Sequence, residues 1–548
     1  MRTIIIGGVA GGMSAATRLR RLDEQAEIVV VERGPYVSFA NCGLPYYVGG
    51  VIADRDDLLV HTPEALAARF GIDVRVRHEV TGIDREAKVV RVRDLATGES
   101  TVEAYDTLVL AAGARARELV GADRRTFTLR SIDDVDGITA LIESSVAPVS
   151  AVVVGGGFIG LEAVDNLVRR GLRVAIIHRG AHLFGHLDPE LSSLVRDELV
   201  EHGVEVHLNA TVARIDASTV TLGDGIELAA DLIIDAAGVA PDTGLAVAAG
   251  LEVGAAGGIR VDQDQRTSDR SIFAVGDGAE KVDAVDGSSG LVTMAGLANR
   301  HGRAAADAIA GRPHPSRAAL GTAIIGVFSK TAATVGWSET RLRAAGRAFR
   351  AIHTHPGSHA SYYPGAERMA MKLLIDPADD AILGAQIVGG AGVDKRIDVI
   401  ATAMSAGITA SGLQDLELAY APQYGSAKDP INMLGYVAEN LVAFPDSTIQ
   451  WHELDEARAQ GARLVDVRRP AEFDAGHIRD AVNIPLEQLR DRHHEVEGEL
   501  VVHCQVGQRG HTATRMLTQL GRRVRNLDGG YLTWKAGTRP EARVSAPG

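Results

Sequence analysis

At 548 residues the chain is longer than one hydrophobic core usually serves, so three or four domains are expected. Its 46% hydrophobic and 23% charged residues exclude a disordered or membrane-embedded chain, and the formal charge of −14 argues against non-specific binding to nucleic acid or membrane. Two cysteines, Cys42 and Cys504, are too few and too distant for a disulfide framework or a zinc site. They fit a reducing, cytoplasmic setting in which a thiol is retained for its reactivity. The apolar run Ile4–Ile6 is interrupted by Gly7 and Gly8 and is too short for a signal peptide, and no stretch approaches the roughly 18 apolar residues of a membrane span.

In chain order, residues 3–6 read as a buried strand, followed by Gly7-Gly8-Val9-Ala10-Gly11-Gly12 and a helix from Met13 to about Leu22. A second strand, Ile28 to Val31, ends on Glu32 and Arg33. Strand, glycine turn, helix, strand and acid form the order of a dinucleotide fingerprint. Its glycines let the backbone approach a pyrophosphate at the helix N-terminus, where free N–H groups favour an anion, and Glu32 is placed to accept from a ribose. Val9 occupies the middle glycine position, so the pattern is imperfect.

The same order recurs. Residues 151–154 lead into Gly155-Gly156-Gly157-Phe158-Ile159-Gly160, then Glu162 and a helix, then a strand over 173–177. The segments Asp106–Gly113, with Ala112 before its final glycine, and Asp231–Gly238 close the two modules alike, so a whole dinucleotide domain is repeated. After the second strand of the second module stand His178 and Arg179 rather than an acid. A basic residue there accommodates a 2′-phosphate, so NADPH or NADH is the expected ligand. Further on, Thr267–Gly278 sets Gly276 and Asp277 after a short strand.

Together these three segments resemble the FAD-dependent pyridine nucleotide–disulfide oxidoreductases, over roughly residues 1–440. The resemblance implies FAD in the first module, NAD(P)H in the second, and Asp277 on the flavin ribityl chain. It implies a discontinuous FAD domain (1–120 and 245–320), an NAD(P)H domain (121–244) and an α+β dimerisation domain (321–445).

Many such enzymes cycle a cysteine pair. Here the segment from Ser38 to Tyr47 holds Asn41 and Cys42 with no second cysteine nearby, so the partner sulfur must come from outside, as a mixed disulfide, a persulfide or a sulfenic acid. This segment, with His359–Gly365 and Tyr420–Pro430, resembles the coenzyme A disulfide reductases, a one-cysteine branch of the family. The resemblance implies that Tyr362 and Tyr420 flank the cysteine and flavin across a homodimer interface, leaving open which tyrosine of each pair acts. It also implies that Lys428 helps bind coenzyme A, and that Ser14, Arg18, Arg21, Ser38, Asn41, Asn299 and Arg303 line its channel. Taken alone, arginines a turn apart on a helix usually form a solvated face.

After Ala443–Ser447 the pattern restarts. Residues 464–468 read as a strand, 476–485 as a loop and 500–504 as a strand, followed by the loop Cys504–Arg509 and a helix from His511 to about Leu520. Backbone N–H groups of such a loop cradle a thiolate, and Arg509 adds a fixed charge. The Cys-x4-Arg loop resembles that of a rhodanese domain over 450–540, one residue shorter than the phosphatase loop. The expected fold is therefore α/β: two Rossmann-like dinucleotide domains, the dimerisation domain and a C-terminal α/β rhodanese domain.

The first functional reading is a FAD-dependent NAD(P)H reductase of coenzyme A disulfide, persulfide or polysulfide, with sulfur transfer at Cys504. A second is an NADH oxidase or peroxidase cycling Cys42 through sulfenic acid. A third is a redox-sensing or sulfur-carrying protein with little turnover. No metal is expected.

Overall fold

The computed structural model describes residues 1–117, 119–145 and 149–539. Pro540, expected to end the C-terminal domain, lies outside the described residues. The chain forms two compact units, Met1–Ile176 with Val212–Gly321, and Ile177–Thr211 with Thr322–Gly548. Among the described residues no helix is long and apolar enough to cross a membrane.

In the first unit a five-stranded sheet runs in the order Ile272–Ala274, Thr107–Leu110, Arg2–Ile6, Glu27–Val31, Asp73–Arg75. All its pairings are parallel. Ile4, Ile5, Val29, Val30, Leu108 and Val109 are buried, as expected of parallel strands covered on both faces. The edge strand Ile272–Ala274 comes from the late segment of the chain. A second set aligns Thr126–Phe127, Leu232–Asp235 and Ser150–Val154 in parallel, with Arg173–Ile177 next to Ser150–Val154.

The two modules repeat at the level of single atoms. The Arg2 and Ser150 N–H groups donate to Asp106 Oδ2 and Asp231 Oδ2 at 2.6 and 2.9 Å. Ala111 N–H and Ala236 N–H donate to the Ile6 and Val154 carbonyls, both at 2.8 Å. Gly7 and Gly155 take φ of +105° and +117°. The first helix starts at Ala10, three residues earlier than its sequence suggests, and runs to Leu22. Glycines disfavour helix interiors, but close packing overrides that preference here. A Cβ on Gly12 would lie 1.9 Å from the Gly7 carbonyl oxygen, and one on Gly302 of the Ala295–Ile309 helix 2.2 Å from that of Gly11.

In the second unit an antiparallel sheet runs Ala323–Val327, Lys330–Gly336, Ile382–Gly389, Met369–Ile375, Arg350–Thr354. Every residue of Met369–Ile375 is buried, Lys372 included. Register places Thr334, Gln386, Lys372 and His353 in one cross-strand row. This polar row meets the start of the Pro189–Glu201 helix. Lys372 Nζ lies 2.6 Å from Glu190 Oε1, 2.7 Å from Glu339 Oε2 and 3.0 Å from Asp188 Oδ2. Gln386 and Asp188 exchange two hydrogen bonds, of 2.6 and 2.7 Å.

The C-terminal segment adds a parallel sheet in the order Thr448–Ile449, Val524–Leu527, Leu500–His503, Arg463–Asp466, Val482–Asn483. It joins the antiparallel sheet through His353, whose Nδ1 lies 2.7 Å from Asp528 Oδ2 and whose Nε2 lies 3.0 Å from Glu190 Oε1.

Burial disfavours the charged form of His353, but its bonds to Asp528 and Glu190 prevail and push its pKa up to about 9. Folding therefore binds its proton more tightly than the unfolded chain, with its ordinary value of 6.5, does. That stabilisation is complete below pH 6.5 and is lost as pH rises through 9. The melting temperature is expected to fall over this window in the native chain, and less in His353→Gln. Lys372→Met removes the cation that three buried carboxylates share, leaving Glu190 to His353 and Glu339 to Arg343, and is expected to cost about 3–5 kcal/mol in denaturant unfolding. A loss below about 1 kcal/mol would show that the carboxylates are satisfied without it.

Candidate functional site

In the first unit Cys42 lies in a single turn, Asn41–Gly43, that leads into the short Leu44–Val48 helix. Ser38, four residues before it, holds a left-handed φ of +51°, a strained conformation for a non-glycine residue. Ser38 N–H donates to the Gly8 carbonyl at 2.8 Å, which ties the cysteine segment to the first glycine turn. The Leu44–Val48 helix packs on Phe158–Arg169, and Tyr46 Oη donates to Glu162 Oε1 at 3.3 Å. Part of the Cys42 surface is open to solvent. Even so, burial among protein atoms and then the charges of Glu162 and Asp277 push its thiol pKa up. The surrounding protein groups thus favour the thiol. Burial likewise raises the Glu162 carboxyl, and Tyr46 is pushed up to about 12.

The glycine turns are shaped for different tasks. A Cβ at Gly155 or Gly160 would lie 2.0 or 1.8 Å from a backbone oxygen, so these glycines close the turn against the strand and helix. A Cβ at Gly157 would meet nothing within 4 Å, so that position faces open space. Neither the Ala10–Leu22 nor the Phe158–Arg169 helix has a side-chain cap hydrogen bond. Ile159 lies in the first turn of the second. Glu32 accepts from Gly8 and Gly34 N–H, each at 2.7 Å, and Arg33 after it is exposed. Ala112 and Gly113 line a small pocket with Ile6, Asp242, Val275 and Gly278. Gly238 takes φ +115°.

Asp277 sits in the Gly276–Gly278 turn, its carboxyl pushed up by burial and held back by Lys281 and Arg130. Lys281 was not apparent from sequence. Its buried ammonium donates to the Gly276 and Ala279 carbonyls at 2.5 and 2.8 Å and pins this turn, and burial lowers its pKa to about 8.

The Ala10–Leu22 and Ala295–Ile309 helices bring together four of the expected channel residues. Ser14 Oγ donates to Asn299 Oδ1 at 2.7 Å. Arg18 lies 2.6 Å from Asp307, which Arg303 approaches at 4.0 Å. The Arg18 charge is therefore shared with a carboxylate rather than free. Arg21 instead stands over the Phe70 ring, 5.5 Å from its centre.

In the second unit His178 and Arg179 directly follow Ile177. Burial lowers the His178 pKa, opposed by a backbone hydrogen bond at His182 and aided by the charges of Arg179 and His182. Tyr362 and Tyr420 are both exposed and share a 2.7 Å hydrogen bond between their hydroxyls. That bond raises the Tyr420 pKa. Ala360 N–H donates to the Gly425 carbonyl at 2.9 Å and joins the two tyrosine-bearing stretches, with Lys428 exposed nearby in sequence.

Cys504 is fully buried at the end of Leu500–His503. Gly507, at φ +92°, caps a helix that begins at Gln508 rather than His511. Arg509 consequently lies in its first turn, where the helix continues through the end of the Cys-x4-Arg loop. Its charge is not free: both terminal nitrogens fork onto Glu472, at 2.6 and 2.8 Å, and this fork, more than the nearby Cys504, raises the guanidinium pKa. The fork holds Glu472 at about 2. Glu472 carries a signal of its own, an acid three residues into a Pro-initiated helix.

Residues 1–298 match the family described as pyridine nucleotide-disulphide oxidoreductase, 322–429 its dimerisation domain, and 450–537 a rhodanese-like domain. A coenzyme A disulfide reductase of Staphylococcus aureus (strain bovine RF122 / ET3-1) is 34% identical over 439 residues, 80% of this chain and all of that protein. The crystal structure of reduced Bacillus anthracis CoADR-RHD is 42% identical with a TM-score of 0.96, covering 98% of each chain. A NAD-dependent persulfide reductase from A. fulgidus is 35% identical with a TM-score of 0.92, over 97% of this chain and 100% of its own. A water-forming NADH oxidase from Lactobacillus brevis, 24% identical with a TM-score of 0.77 over 81% of this chain and 99% of its own, shares the fold.

The glycine geometry separates two substitutions. Gly160→Ala is expected to abolish folding or lower the melting temperature by more than about 8 °C, a loss of several kcal/mol spread over a large chain. Gly157→Ala is expected to leave it within about 2 °C. Equal effects in thermal denaturation would contradict the assignment of packing to one glycine and open space to the other.

Proposed function

Because the chain belongs to the pyridine nucleotide–disulphide oxidoreductase family, we propose that it is a FAD-dependent NAD(P)H reductase of coenzyme A disulfide or persulfide, coupled to sulfur transfer at Cys504. The observation that carries this reading is the placement of the chain's two cysteines. Cys42 lies in the flavoprotein part with no second thiol beside it, and Cys504 lies in a rhodanese-type loop. The oxidase reading has no such support, since the likeness to the NADH oxidase is one of fold alone.

FAD and NAD(P)H, when bound, supply the electron pair. The residues present suit them. The uncapped starts of the two helices (Ala10, Gly11, Gly12; Gly157, Ile159, Gly160) suit pyrophosphates. Gly7, Gly8 and Gly155 shape the turns before them, with the Gly7 and Gly8 N–H groups donated to Val31 and Glu32, and the open space above Gly157 leaves room for a phosphate. Glu32 keeps lone pairs for a ribose beyond its two backbone donors. Asp277, raised by burial, gains from hydroxyl donors such as those of a ribityl chain. Arg33, Ala112, Gly113, Gly238 and Gly276 border these sites, and Glu162 with Tyr46 lies beside Cys42.

Cys42 thiolate attacks one sulfur of coenzyme A disulfide, or the inner, carbon-bound sulfur of coenzyme A persulfide, breaking its S–S bond. A Cys42–S–S–coenzyme A bond forms as coenzyme A thiolate or hydrosulfide leaves. Two electrons and a proton then return Cys42 to its thiolate and free coenzyme A as the thiol. Asn41 and Ser38 flank the thiol in sequence. The Ser14–Asn299 and Arg18–Asp307–Arg303 contacts present polar groups for the coenzyme A phosphates, with Arg21 at the edge. Exposed Tyr362, Tyr420 and Lys428 suit a site completed by the partner subunit of a homodimer, with the tyrosine pair donating to the departing sulfur. Cys504 carries sulfane sulfur beside Arg509. The free thiols fit a cytoplasmic enzyme.

Cys42→Ser is expected to reduce NAD(P)H-dependent reduction of coenzyme A disulfide and release of sulfide from coenzyme A persulfide by at least about 10³-fold. Cys504→Ser is expected to keep coenzyme A disulfide reduction but lose thiosulfate-to-cyanide sulfur transfer. Full disulfide reductase activity in Cys42→Ser, or oxygen consumption without any thiol substrate at the native rate, would sink the reading. Since Arg179 is the remaining cation after the second module, Arg179→Ala is expected to lower the ratio of kcat/KM for NADPH over NADH about 10-fold. An unchanged ratio would exclude a 2′-phosphate contact there.

A further inference from the structure

We propose that His353 is a positioning residue for the sulfur-handling loop at Cys504: clasped between Glu190 and Asp528, it fixes the turn on which that loop rests. This rests on the reading that Cys504 carries sulfane sulfur. The argument is one of contiguous contacts. Asp528 Oδ2 accepts from His353 twice, from the backbone N–H at 2.9 Å and from Nδ1 at 2.7 Å, and Gln450 Nε2 approaches the same oxygen at 3.3 Å.

The next residues leave no slack. Gly529 and Gly530 take φ of +65° and +64°. A Cβ on Gly529 would lie 2.7 Å from His353 Cβ, and one on Gly530 2.5 Å from the Cys504 carbonyl oxygen and 2.8 Å from the Gly507 nitrogen. Tyr531 N–H donates to the Cys504 carbonyl at 2.8 Å and Leu532 N–H to that of Gln505 at 3.1 Å. Four residues, Asp528 to Tyr531, therefore stand between an imidazole of the antiparallel sheet and the backbone of the reactive loop. His355, two residues along the strand, adds a second tie through Nε2 to Thr533 Oγ1 at 2.8 Å.

His353 is 5% exposed and faces charged groups from every side. Asp528 approaches from the C-terminal domain and Glu190 from the Pro189–Glu201 helix. Lys372 on the adjacent strand shares Glu190 Oε1 and is itself held by Asp188 and Glu339. His355 is kept neutral by burial, then by His353 and Arg368. A cation at His353 pairs with both flanking carboxylates, whereas a neutral imidazole has one N–H for two acceptors. The Cys504 loop is thus tied to the antiparallel sheet through His353 and Asp528.

The test uses the full-length FAD-loaded protein as His353→Gln, Asp528→Asn and the double variant. Three readouts are followed: thiosulfate-to-cyanide sulfur transfer, NADH-dependent coenzyme A disulfide reduction, and amide hydrogen exchange of residues 504–509. Each single variant is expected to slow transfer and speed loop exchange about 10-fold, with disulfide reduction within about twofold. The double variant, which restores a neutral amide pair without a lone buried charge, is expected to recover most of both losses. The proposal is overturned if both singles behave as the native chain, if transfer falls while loop exchange does not change, or if the two losses add in the double variant. If the native chain transfers no sulfur yet the single variants speed loop exchange, the tie stands and only the sulfur-carrying reading of Cys504 fails.

Discussion

The second unit depends on a buried cation. Lys372 sits in a strand whose every residue is buried, and only three carboxylates make an ammonium tolerable there. In satisfying it, Asp188, Glu190 and Glu339 bring the helix of the 177–211 segment onto the antiparallel sheet. His353, in the same cross-strand row, passes the pairing on to Asp528. Apolar packing would hold these surfaces together in many registers. A row of buried charges demands one, because any slip strands a carboxylate or the ammonium without a partner.

The first unit is built on a different constraint, the close approach of backbone to backbone. Gly7 and Gly155 adopt mirror-region φ values, and Gly12 and Gly160 stand where any side chain would strike the turn oxygen. The chain meets this requirement twice with the same hydrogen bonds. That economy leaves room for divergence where backbone is not crowded. Val9 replaces the middle glycine in one module, and His178 and Arg179 replace the acid in the other.

Much of this was legible in the sequence. Apolar strands and glycine turns reveal the dinucleotide modules because their backbone geometry admits few residue types. The Cys504–Arg509 loop is readable for the same reason. The helices start at Ala10 and Gln508, earlier than the sequence predicts, because tertiary packing overrides the poor helix propensity of glycine and of the loop residues. Partners were the least visible. Glu472 lies 37 residues from Arg509, Asp307 289 residues from Arg18, and Asp528 175 residues from His353. Local pattern carries no trace of which distant carboxylate neutralises a given cation, so the arginines looked freer than they are. Lys281 pins carbonyls from within the core, yet in sequence such a lysine reads as an ordinary surface residue.

We propose different partners for the two cysteines: an external thiol for Cys42, and sulfane sulfur beside Arg509, itself forked onto Glu472, for Cys504. The most direct measurement is intact and peptide mass analysis of the FAD-loaded chain after exposure to coenzyme A disulfide, before and after NAD(P)H. The account predicts one coenzyme A per chain in disulfide linkage to Cys42, none on buried Cys504, and complete discharge on adding the reductant. Unmodified Cys42, or a Cys42 adduct that persists in the presence of NAD(P)H, would contradict it.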